Sequence, residues 1–135
     1  MKTATDEFGQ NAGKIWRIIN TKGPQNVTTL MKSTRLEIKP FYAAVGWLAR
    51  ENKITKNNNL YALGDTNLKL KIGNDAGKVW NALNNLGEVD ISSIAKVANI
   101  SENDAYSAIG WLAREDKIKA RKEKSPSNSF KVSLK

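Results

Sequence analysis

Lys32, Arg35, Lys39 and Arg50 in the first half of the chain, and Lys119, Arg121, Lys122 and Lys124 near its end, are the side chains with most to offer a ligand. Lysine neutralises phosphate as a point charge, and arginine adds a planar fork that fits a phosphate or a guanine edge. The 135 residues carry a net charge of +9, which favours a polyanionic partner, nucleic acid before a membrane surface. The charge is unevenly placed: residues 1–71 hold +7, 72–116 hold −4 and 117–135 hold +6.

Other chemistry is scarce. The chain has no cysteine and no histidine, which removes disulfides, thiolate metal sites, Ser-His and Cys-His catalysis and the commonest general base. No carboxylate pair, serine triad or metal cluster can be assembled, and Gly13-Lys14 and Gly77-Lys78 lack the further glycines of a phosphate loop. A non-enzymatic protein without cofactor is expected. No apolar run approaches the length of a membrane span, and Met1-Lys2-Thr3-Ala4-Thr5-Asp6 is not followed by a hydrophobic signal region. The expected location is the cytoplasm, with no membrane partner.

The elements that must position the basic residues come in two copies. Tyr42-Ala43-Ala44-Val45-Gly46-Trp47-Leu48-Ala49-Arg50-Glu51-Asn52-Lys53-Ile54 returns 64 residues later as Tyr106-Ser107-Ala108-Ile109-Gly110-Trp111-Leu112-Ala113-Arg114-Glu115-Asp116-Lys117-Ile118. The same offset matches Gly13 to Gly77, Trp16 to Trp80 and Gly23 to Gly87, and 17 of the 43 positions from Ala12 to Ile54 are identical to their partners. That period is the length of a small domain. The expected organisation is a polar lead-in at 1–9, a first module at 10–64, a linker at 65–72 and a second module at 73–135.

Within module one, Ala12, Ile15, Trp16 and Ile19 recur at helical spacing from Gln10 to Asn20, and Gly23 ends that helix. Val27 suits a strand bridge, and Thr28 an N-cap for a second helix reaching Ser33. The third helix runs from Ile38 to Glu51, with Pro40 tolerated in its first turn and Phe41, Ala44, Val45 and Leu48 on its core face. Ile54–Lys56 and Leu60–Leu63 form a hairpin around Asn57-Asn58-Asn59. Module two repeats the plan, with Ser92 and Ser101 as caps and strands at Lys117–Arg121 and Phe130–Leu134. Trp16 and Trp80 are expected inside the cores and Trp47 and Trp111 at their edges; Gly13 and Gly77 are expected to serve close packing within each module.

Helix, short strand, helix, turn, helix, hairpin is the order of a winged helix-turn-helix. Asn11-Ala12-Gly13-Lys14-Ile15-Trp16 and Asp75-Ala76-Gly77-Lys78-Val79-Trp80, each followed by the Tyr-x-Ala-x-Gly-Trp-Leu-Ala-Arg-Glu-x-Lys-Ile segment, resemble a family of small winged helix-turn-helix domains of bacteria and archaea. The resemblance covers both modules, whereas members usually carry one. It implies a mainly α fold with small β-hairpin wings, here as tandem winged helix-turn-helix domains. It suggests DNA binding and hands over no ligand or site.

In DNA-bound winged helices the third helix enters the major groove and the wing touches the backbone. The stripe opposite the core face is Lys39, Ala43, Gly46 and Arg50 in module one and Asn103, Ser107, Gly110 and Arg114 in module two. Neither stripe holds an acid, although Glu102, Asp104, Glu115 and Asp116 flank the second and read as a solvated face. The leading expectation is a double-stranded-DNA-binding protein, such as a transcriptional regulator, in which module one reads the groove through Lys32, Arg35, Lys39, Ala43, Gly46 and Arg50. The basic wing of module two, Lys119, Arg121, Lys122 and Lys124, would hold the backbone. A small residue three positions before a glycine also suits helix packing, so the competing expectation is a protein-assembly adaptor, with partner binding or self-association through the third helices.

Overall fold

The computed structural model describes residues 3–122 and 130–135. Module one comprises α1 (Ala4–Lys22), α2 (Val27–Thr34), α3 (Ile38–Arg50), β1 (Ile54–Asn57) and β2 (Leu60–Leu63). Module two comprises α4 (Lys69–Leu86), β3 (Val89–Asp90), α5 (Ile91–Ala98), α6 (Glu102–Arg114), β4 (Ile118–Lys122) and β5 (Phe130–Leu134). The wing of module one is the antiparallel β1–β2 hairpin, with Asn57 opposite Leu60. It closes through Asn58, which takes the left-handed conformation that asparagine tolerates. Module two has a three-stranded sheet in the order β3-β5-β4. The strand equivalent to β3 in module one shrinks to a single bridge from Gln25 to Tyr61.

Local chemistry sets the helix ends. Asn26 and Asp90, two residues before the expected Thr28 and Ser92, are the N-caps of α2 and α5; their side chains accept from the amides of Thr29 and Ser93. An Asx side chain in extended backbone reaches the third following amide without displacing the chain. Ser101 caps α6 as expected. Arg35 and Asn99, 64 residues apart, both adopt left-handed backbone at the helix-turn-helix corner, with φ of 60° and 58°.

The expected lead-in is helical. Thr3 and Asp6 form a reciprocal capping box, so α1 starts at Ala4. That first stretch carries Phe8 into the core of module two, where its ring meets Phe130 edge-on at 5.4 Å. The exchange is mutual: Ile72, the counterpart of Phe8 at the start of α4, lies in the core of module one. Each module's first helix therefore begins in the other module's interior, and α4 begins inside the segment expected to be linker.

Trp47 and Trp111 lie at the core edges as expected, whereas Trp16 and Trp80 are less buried than expected. Trp16 is half-buried and Trp80 is 39% exposed. The large side chains that are fully buried include Phe8, Ile15, Leu30, Phe41, Leu48 and Ile54, and from module two Ile91, Ile94, Tyr106, Ile109 and Ile118. Trp16 still packs against the edge of its core, and Trp80 is the more exposed of the pair.

Candidate nucleic-acid interface

The two third helices pack against each other. α3 and α6 cross where a Cβ on Gly46 would run into the Ser107 carbonyl, and one on Gly110 would run into the Ala43 carbonyl. Both glycines would meet backbone well inside 3.0 Å, so only the absent side chains allow this approach. Ala43 and Gly46 are consequently buried. The stripe expected to enter a groove is occupied here by the other module's backbone, and the same holds for Ser107 and Gly110.

Charged residues close the ends of this junction. Arg50 Nε donates to Glu115 at 3.1 Å and Arg114 Nε to Glu51 at 3.0 Å. The guanidinium of Arg50 lies 5.7 Å from the Trp111 ring centre, and that of Arg114 lies 5.9 Å from Trp47. Arg50 is thus turned toward module two. Lys39 is half-buried with its Nζ 5.9 Å from the Tyr106 ring.

The acids expected to form a solvated face around α6 have partners within the chain. Glu115 holds Arg50, Asp104 holds Lys71 at 3.1 Å, Asp116 holds Lys135 and the hydroxyl of Ser92 meets Glu102. Lys71 also reaches the buried Asp75 at 3.0 Å; hydrogen bonds to Asp75 and then Asp104 hold its ammonium above the usual lysine range.

Of the remaining expected contacts, Lys32 on α2 and Arg35 at the corner are exposed. On β4, Lys119 is exposed, Arg121 binds Glu88 through both Nη2 (2.8 Å) and Nε (3.3 Å), and Lys122 binds Glu7 of α1 at 2.9 Å. The hydrogen bond from Arg121 holds the Glu88 carboxyl below its usual range. Lys124 lies outside the described residues. The fold brings Arg35 and Lys122, from different modules, to the rim of one cleft of about 400 Å³ with Lys14. Glu7 and Glu37 share that rim. Lys14 carries no motif that marks it as a site residue; its position within two helical turns of Phe8, at the junction between modules, is legible only once α1 is known to cross over.

Among the described residues no helix is long and apolar enough to cross a membrane, and no group of three or more histidines, cysteines, aspartates or glutamates is placed to hold a metal. The family described as winged helix-turn-helix domain (DUF2582) matches twice, at residues 1–63 and 67–129. The uncharacterized protein MJ1608 of Methanocaldococcus jannaschii is 47% identical over 51 residues, which span 36% of this chain and 71% of that protein. No solved structure matches. Two matches that together span nearly the whole sequence, on a fold with two wings and two helix-turn-helix units, show that the chain belongs to the DUF2582 family of winged helix-turn-helix domains, as a tandem pair.

Proposed function

We propose that the protein is a non-enzymatic binder of double-stranded DNA, of the kind used in transcriptional regulation, that grips the phosphate backbone and keeps both third helices out of the groove. The observation that carries this reading is the placement of Arg35, Lys14 and Lys122 around a single cleft between the modules. Lys32 and Lys119 are further exposed basic side chains. The chain's charge of +9 supports a polyanionic partner, and the family supports DNA within that class. Backbone contacts position a protein without reading bases, so this mode gives affinity with weak sequence preference.

Titration of a duplex at two salt concentrations tests the reading. Log affinity should fall with log salt at a slope of about −0.9 for each phosphate neutralised, nearly independently of sequence. Arg35→Ala with Lys14→Ala should weaken all duplexes alike and flatten the slope. A competing reading, an assembly adaptor without DNA binding, is favoured by the burial of both third helices; absence of binding at low salt would establish it over the DNA reading.

A further inference from the structure

We propose that the groove between α1 and the C-terminal end of α3 docks an acidic, amphipathic helix of a partner protein. The groove encloses about 1040 Å³ and is bordered by Gly13, Lys14, Trp16, Arg17 and Trp47. It goes beyond the proposed DNA binding, which uses the cleft on the other side of α1; Lys14 borders both.

Three observations converge on this occupant. The first is Gly13. A glycine inside a helix costs about 0.5 to 1 kcal/mol relative to alanine, yet a Cβ there would meet nothing within 4 Å. The close intramodule packing expected of Gly13 and Gly77 does not exist, so the fold itself has no use for either. Gly9, one turn earlier, is different: its Cβ would stand 2.8 Å from the Trp47 ring, so that glycine seats the indole forming the groove wall.

The second observation is the repetition of the groove. Gly73, Gly77, Trp80 and Trp111 build a smaller version of about 410 Å³ in module two, at the same 64-residue offset. The two copies have diverged at most positions between, but both keep the open glycine and both indoles. An open glycine between partly exposed indoles lets the backbone of a second helix approach while its apolar side chains cover the rings.

The third is charge. Asp6 is committed to the α1 cap, and Glu51 is held by Arg114 and by Lys53 at 3.7 Å. Lys14 and Arg17 have no acidic partner among the described residues, and both line the groove. The uncompensated charge is therefore positive, which fits carboxylates flanking an apolar stripe. Module two has Asn81 in place of Arg17, so module one is the stronger site.

The test uses the whole chain and a synthetic peptide with leucine at i, i+3, i+4 and i+7 and glutamate between, titrated while the tryptophan indole N–H signals are followed by NMR. The expected result is saturable shifts of Trp16 and Trp47 before those of Trp80 and Trp111. Gly13→Leu should lower affinity at least about tenfold without lowering the melting temperature, since its side chain enters open space; Arg17→Asn should lower it about threefold or more. No shift at millimolar peptide, equal binding of the same peptide with lysine for glutamate, or an unaffected Gly13→Leu variant would overturn the proposal. So would an oligothymidylate that produces the shifts when the acidic peptide does not, which would assign the indoles to stacking with single-stranded bases. Duplex binding enters none of these outcomes, so this proposal and the DNA reading fail separately.

Discussion

Gly46 of α3 faces the Ser107 carbonyl of α6 with no room for a methyl group between them, and Gly110 faces Ala43 in the same way. The relationship joins two helix-turn-helix units into one body with approximate twofold symmetry. Overpacking a well-filled contact costs about 1 to 3 kcal/mol where side chains can shift, and more where the obstacle is backbone. Gly46→Ala and Gly110→Ala should therefore each destabilise by at least about 2 kcal/mol in chemical denaturation. The double variant should lose less than the sum, because the first substitution already separates the helices.

The exchange of helix starts makes Phe8 a residue of module two's core although it belongs to module one. Phe8→Ala should cost about 3 to 5 kcal/mol, whereas Trp80→Ala, removing a partly exposed ring, should cost clearly less. Thermal melts of the two variants check the order. A larger loss from Trp80 would mean that the indoles, and not Phe8, fill the cores.

Arg35 separates stability from binding. A non-glycine residue in left-handed backbone bears a strain of roughly 1 to 2 kcal/mol, and its partner position in module two holds asparagine, which bears it better. Arg35→Gly should leave the fold as stable or up to about 1 kcal/mol more stable, while weakening duplex binding by one phosphate contact. Denaturation and a salt titration on the same variant read the two effects.

Acid sensitivity should trace to the helix caps. Hydrogen bonds from the Ser93 amide and hydroxyl hold the Asp90 carboxyl below its usual range, and Thr3 does the same for Asp6. A carboxyl lowered in the folded state contributes stability that is fully present above the unfolded aspartate value of about 3.9 and is lost as pH falls through the folded value. Asp90→Asn keeps a capping oxygen but removes the titration. Its stability should approach that of the parent at low pH and trail it near neutrality, as followed by denaturation midpoints against pH.

The sequence made some of this architecture legible and hid the rest for physical reasons. The 64-residue offset reveals the duplication and the order of elements because identical residues at fixed spacing need no tertiary information. The short α2 and α5 are legible in the sequence, but their caps lie at Asn26 and Asp90, because an Asx residue outcompetes a later Thr or Ser as N-cap. The start of α1 is hidden in the sequence because a helix with one large apolar residue, Phe8, looks polar until its partner core is known. In sequence the stripe of Ala43, Gly46, Ser107 and Gly110 fits groove contact, the leading expectation, and also helix packing. Only the fold, by setting Gly46 on Ser107, chooses packing.

The central claim is that the α3–α6 junction stays closed while the basic rim holds duplex DNA. Amide NMR during titration with a duplex two helical turns long tests it most directly. The account predicts shifts concentrated at Lys14, Lys32, Arg35 and Lys119 to Lys122, with the amides of Ala43, Gly46, Ser107 and Gly110 unmoved and still protected from exchange. Shifts or lost protection at Gly46 and Gly110 on binding would show that the third helices part to enter the groove, and would contradict it.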